Sequence, residues 1–193
     1  MSTTTTAVAG GELGQLLGQL DQIAEGARRE FGRLSAAQVN WKPSAGEWSV
    51  GQCFEHLIKT NGGFAPVLGR IARGARRPSA WEKWSPLSGL FGRLLERTLA
   101  QEGGRKFKAP AKLLPASSEV EADIIERFAA HQSELAEQVR GVAHVDLKRT
   151  IVTSPISGFV TYSLLDALRI VVAHERRHFR QARRVTEAPG FPA

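Results

Sequence analysis

Residues 162–185 read YSLLDALRIVVAHERRHFRQARRV. Leu164, Leu165, Leu168, Val171, Val172 and Phe179 recur there at helical spacing and fall on one face. Beside that face stand His174 and His178, four residues apart, a spacing that stacks two side chains one turn apart on a helix. At about 100° per residue, Ala167, His174, His178 and Gln181 form a strip flanking the apolar stripe. Two imidazoles at the margin of a buried face are poor core material, because each ring nitrogen needs a partner. A bound metal ion would supply one.

Upstream of this helix, three further long helices are predicted. The first runs from Gly11 to Leu34, with Leu13, Leu16, Leu17, Leu20, Ile23, Ala27 and Phe31 at helical spacing. Gly14 and Gly18 lower its intrinsic propensity and are expected to let a neighbouring helix approach. A connector over Ser35–Gly46 leads to a second helix that opens on the S-x-x-Q capping box Ser49/Gln52. Its stripe is Val50, Phe54, Leu57, Ile58, Phe64, Leu68 and Ile71, and His56 lies off it. The third is expected over Glu119–Arg140, capped by Ser117 or Ser118, with His131 on its apolar face as a hydrogen-bonded core residue. His144 follows in a loop and receives no role. Between the second and third, a short helix around Leu90–Gln101 is expected, with Trp81 and Trp84 covering one end of the molecule. The stretch Ile151–Thr161 reads as a linker into the last helix, capped by Thr161 or Ser163, and no segment reads as a strand. The predicted fold is therefore all-α, an up-and-down four-helix bundle with one additional short helix.

The 193 residues suit one domain with a substantial core. We read residues 1–10 as a flexible tail, 11–186 as the helical domain and 187–193 as a C-terminal tail. No run approaches the roughly 18 apolar residues of a membrane span, and the N-terminus lacks the basic and apolar regions of a secretory signal. Cys53 is the single cysteine, which excludes an internal disulfide and fits a reducing cytoplasm. A net charge of +7 raises the question of nucleic acid. The basic residues are scattered, however, with no accompanying zinc-finger, helix-turn-helix or aromatic RNA-binding pattern. A nucleic-acid partner is not expected.

The segment Trp41–Leu57, WKPSAGEWSVGQCFEHL, followed near the C-terminus by HERRHFRQ, resembles the DinB-like family of proposed metalloenzymes, which includes the YfiT-type proteins. The resemblance runs from the first helix to about Val185. It implies a four-helix bundle, often a homodimer, holding a divalent metal with one histidine of the second helix and two of the last. In this chain those are His56, His174 and His178. Three imidazoles suit Zn, Ni, Fe or Mn, and a site that keeps coordination positions open is catalytic in style. The family implies a metal-dependent transferase or hydrolase, with a low-molecular-weight thiol attacking a small electrophilic substrate. The alternative is a non-catalytic metal-binding or stress-response module. Gln181 is a candidate contact for metal-bound water. Cys53 reads as a small buried residue, Trp48 as an anchor of the helix start, and Glu55 and Glu175 as side chains that point away from the ligands.

Overall fold

The computed structural model describes residues 3–84, 92, 94–98, 114–115 and 119–193. Helix α1 spans Thr3–Phe31, starting before the Gly11 expected. Within it Leu13, Leu16, Leu20, Ile23, Ala27 and Phe31 are buried. Added Cβ atoms at Gly14 and Gly18 would meet nothing within 4 Å among the described residues, so no described helix approaches closely there. At Gly26 one does: a Cβ there would lie 3.3 Å from the Phe179 ring.

The expected connector contains a short helix, α2 (Ala36–Asn40), opened by a complete capping box between Ser35 and Gln38. Asn40 then treats its side chain as a strand edge, donating from Nδ2 to Val120 O at 2.8 Å and accepting from Val120 N at 2.7 Å. The C-terminal residues fold back on this helix, with Phe191 edge-on to Trp41 and Gln38 donating to Pro192 O.

The second long helix divides into α3 (Val50–Gly62) and α4 (Ala65–Ala72). Pro66 has no N–H to return to the Gly62 carbonyl. The backbone crosses the gap with i→i−3 bonds, Gly63 N to Thr60 O and Phe64 N to Asn61 O. At the other end of α3, the Ser49/Gln52 box forms as expected. Gly51, in the first turn, faces α2: a Cβ would lie 2.8 Å from Val39 Cγ1 and 3.0 Å from Val120 Cβ. Gly51→Ala is therefore expected to destabilise by about 1–3 kcal/mol through overpacking, read by urea unfolding.

A short α5 (Ala80–Trp84) follows. Trp81 and Trp84 remain exposed rather than covering an end, and Trp81 donates its indole N–H to Phe159 O. Of the helix expected over 90–101, residues 92 and 94–98 are described, and they are helical. Helix α6 (Ile124–Gly141) begins later than expected, after Asp123, which makes no side-chain cap bond. The expected caps Ser117 and Ser118 lie outside the described residues.

The linker expectation is corrected. Ile151–Thr153 (β1) and Thr161–Ser163 (β2) pair antiparallel, with Val152 opposite Tyr162. The hairpin delivers Ser163 as the N-cap of α7 (Leu164–Thr186). All three first-turn N–H groups of α7 find partners: Leu164 gives to Thr150 O, Leu165 to Leu147 O, and Asp166 to Ser163 Oγ.

The fold is all-α apart from this hairpin. Helix α1 packs on α6 and α7, and α3 packs on the same two. Each long helix contributes one phenyl ring to a common cluster. Phe54 of α3 lies 5.4 Å from Phe31 of α1, 4.9 Å from Phe128 of α6 and 6.5 Å from Phe179 of α7, centroid to centroid. Among the described residues no helix is long and apolar enough to cross a membrane. Several of the basic side chains are engaged between helices, Arg28 with Glu126, Arg183 with Glu30 and Arg169 with Glu12.

Candidate metal centre

His56 projects from the middle of α3, and His174 and His178 from the facing side of α7. Both helices open on serine N-caps, Ser49 and Ser163, so the three rings are presented by capped helices rather than loops. His174 Nε2 lies 3.3 Å from His56 Nε2 and 3.1 Å from His178 Nε2. The candidate ligand atoms of all three fall within 4.8 Å of one another. His56 and His178 are buried, whereas His174 keeps a partly open edge.

These distances test whether the group fits an ion. A neutral imidazole nitrogen carries one N–H or one lone pair, not both, so His174 Nε2 can complete only one of its two contacts as a hydrogen bond. Three lone pairs aimed at a common point leave no such conflict. A tetrahedral ion with metal–nitrogen bonds of about 2.0–2.1 Å sets its ligands roughly 3.3 Å apart. The donor set therefore fits, and the three residues could hold a divalent ion.

Burial and nearby charge keep His174 and His178 neutral. Burial pushes the His174 pKa down to about 3, helped by the His56 ring and the Arg177 guanidinium. His178 is lowered well below its ordinary value, again by burial first, then by His174, His56 and Arg177, with Gln181 opposing. Trp48 walls the group: its ring is stacked on His178 at 5.5 Å and tilted against His56 at 4.9 Å. Thr60 donates to the His56 carbonyl at 2.8 Å, and its hydroxyl sits 3.4 Å from His56 Nε2.

A family model described as the DinB superfamily matches residues 19–182. The chain belongs to the DinB superfamily. Among curated relatives it is similar to the uncharacterized protein YuaE of Bacillus subtilis (strain 168), 25% identical over 159 residues, 82% of this chain and 89% of that protein. No solved structure matches significantly.

Two other residues weighed from the sequence separate clearly in this DinB-superfamily protein. Cys53 is fully buried and burial pushes its thiol well up, with Arg184 opposing, so it supplies no thiolate. His131 does not join the triad; its ring is half-buried and, among the described residues, Nε2 meets no hydrogen-bond partner, unlike the hydrogen-bonded core residue expected.

Sequence reasoning missed the surroundings of Glu175. It does point away from the ligands, but into the core, where it is fully buried. Asn61 of α3 donates to Glu175 Oε1 at 2.6 Å, and Gln132 of α6 lies beside it. Burial raises the Glu175 pKa to about 8 against the opposing Gln132 and Asn61 amides. The signal was present: Leu168, Glu175 and Ala182 are spaced by seven, which puts Glu175 at the centre of the apolar stripe.

Proposed function

We propose that the protein is a divalent-metal-dependent enzyme of the thiol-transferase or hydrolase type, with His56, His174 and His178 as the metal ligands. The observation that carries this reading is the convergence of three imidazole nitrogens at 3.1 and 3.3 Å spacing on two helices. When bound, such an ion lowers the pKa of a coordinated thiol or water and polarises a substrate oxygen. Everything else falls to the chain. Burial and the Arg177 charge hold His174 and His178 in the unprotonated form a ligand needs. The same guanidinium favours an anionic reactant, thiolate or carboxylate, over a neutral one. Trp48 fixes the planes of His56 and His178 and excludes water from their side. His174, with its open edge, marks the direction of approach. Because Cys53 is sealed in the core, a thiol nucleophile has to come from a free low-molecular-weight thiol.

Elemental analysis of purified, untagged protein beside His56→Ala and His174→Ala tests the reading. The expected result is about one metal per chain in the wild type, lost in both variants, since each retains only two of the three ligands. A wild type that stays metal-free after loading with Zn, Ni, Mn and Fe would overturn it. Full metal content without turnover of any thiol or ester substrate would leave a metal-binding module and remove the enzyme.

A further inference from the structure

The geometry points to Asn61 and Glu175 as a positioning pair that sets the register of α7 on α3 and thereby the distance between His56 and the His174/His178 pair. The inference rests on the metal-site reading above. Each of the two helices that bear the triad also bears one member of this pair. Asn61 follows His56 by five residues on α3, and Glu175 is the next residue after His174 on α7. Their bond, Asn61 Nδ2 to Glu175 Oε1 at 2.6 Å, lies in the core, with the two residues 1% and 0% exposed.

Stability does not explain this choice of residues. Glu175 occupies the centre of the α7 stripe, where leucine would pack without leaving polar groups dry. Asn61 stands seven residues after Phe54, at the centre of the α3 stripe, and Gln132 of α6 sits between Phe128 and Leu135 on its own. Among the described residues Asn61 Oδ1 and Glu175 Oε2 are buried beyond hydrogen-bonding distance of any partner, although the Gln132 amide lies close enough to act on the carboxyl. A cluster of this kind is costly, and replacing it with apolar residues is commonly neutral or stabilising. Apolar surfaces, by contrast, tolerate sliding and rotation, whereas a hydrogen bond weakens steeply once its angle or length changes. A buried directional bond is thus a device for register, and here it sits within one and a half turns of all three histidines.

The test uses the full chain. Zn(II) affinity is measured by chelator competition and Co(II) absorption in the wild type, Glu175→Gln, Glu175→Leu, Asn61→Leu and the double leucine variant. Thermal unfolding of the metal-free forms is recorded alongside. The pair predicts that Glu175→Gln, which can still accept from Asn61, binds within about threefold of wild type. Each leucine variant should weaken binding by roughly 10–100-fold with an altered Co(II) spectrum. The double variant should weaken it no further than the worse single, because both remove the same bond. Its metal-free melting temperature should equal or exceed that of the wild type. Leucine variants with wild-type affinity and spectrum would overturn the inference. So would affinity losses that track melting temperature in every variant, Glu175→Gln included. A wild type that binds no metal would instead overturn the functional reading alone. The pair is then judged from nuclear Overhauser contacts between the His56 and His174 rings: kept in Glu175→Gln and lost in Glu175→Leu if it sets register, unchanged in both if it does not.

Discussion

The metal-free protein is expected to be most stable near pH 6.5 and to lose about 2–4 kcal/mol between there and pH 4. The acid limb comes from the histidines. His174 titrates near 3 in the folded chain and at 6.5 in the unfolded one, and His178 is lowered in the same direction. Between those values the unfolded state binds protons that the folded state refuses, so stability falls as pH falls. Glu175 acts in the opposite sense. Its carboxyl keeps a proton to about 8 when folded but loses it at 4.5 when unfolded, so stability declines as pH rises through that window. From 4.5 to 6.5 the two histidines outweigh the one carboxyl. Above 6.5 only the Glu175 slope remains. Urea unfolding of chelator-treated protein from pH 3.5 to 8.5 measures the profile. The variant pair His174→Gln/His178→Gln should flatten the acid limb, and Glu175→Gln the alkaline one. Identical acid limbs in wild type and histidine variants would show that the rings are not buried as neutral groups.

The four long helices and the three histidines were legible because each depends on a local period. Leu164 to Phe179 marks one face of α7 wherever that helix packs, and His174 and His178 flank it for the same reason. His56 was harder, since its offset from the α3 stripe takes meaning only once α7 faces it; the family resemblance supplied that pairing. What escaped was short or depended on a partner. The α2 box at Ser35/Gln38 follows the same rule as Ser49/Gln52, but five residues carry no periodicity. The hairpin consists of three-residue strands whose pairing is a tertiary event. The break between α3 and α4 was written in Gly62, Gly63 and Pro66, and a continuous apolar stripe to Ile71 concealed it.

Glu175 teaches a different lesson. Its helical angle was computable, and that angle placed it in the core with Leu168 and Ala182. Comparing it only with the ligands hid its destination, because a residue directed away from one site is still directed at something. Charged residues at stripe centres merit a partner search across the other helices, where Asn61 and Gln132 hold equivalent central positions.

Phe54→Ala is expected to cost about 3–5 kcal/mol and to lower the melting temperature by roughly 10 °C. Phe54 is fully buried, and its ring meets Phe31, Phe128 and Phe179, so one truncation removes contacts between α3 and each of the other long helices. The loss combines burial, the unfilled volume and the edge-on ring contacts. Set against the 5–15 kcal/mol typical of a whole domain, it is a large share. The site is affected only indirectly. Phe54 and His56 are two residues apart, about 200° around the helix, and so face opposite sides of α3. The variant should therefore bind metal with wild-type stoichiometry at low temperature while unfolding in much less urea. Trp48→Ala should do the reverse, because Trp48 is half-buried and touches His56 and His178 rather than the ring cluster. A Phe54→Ala loss below about 1.5 kcal/mol at unchanged urea dependence would mean that the four helices are joined elsewhere. A loss in the expected range with metal retained would separate what holds the helices together from what aims the histidines.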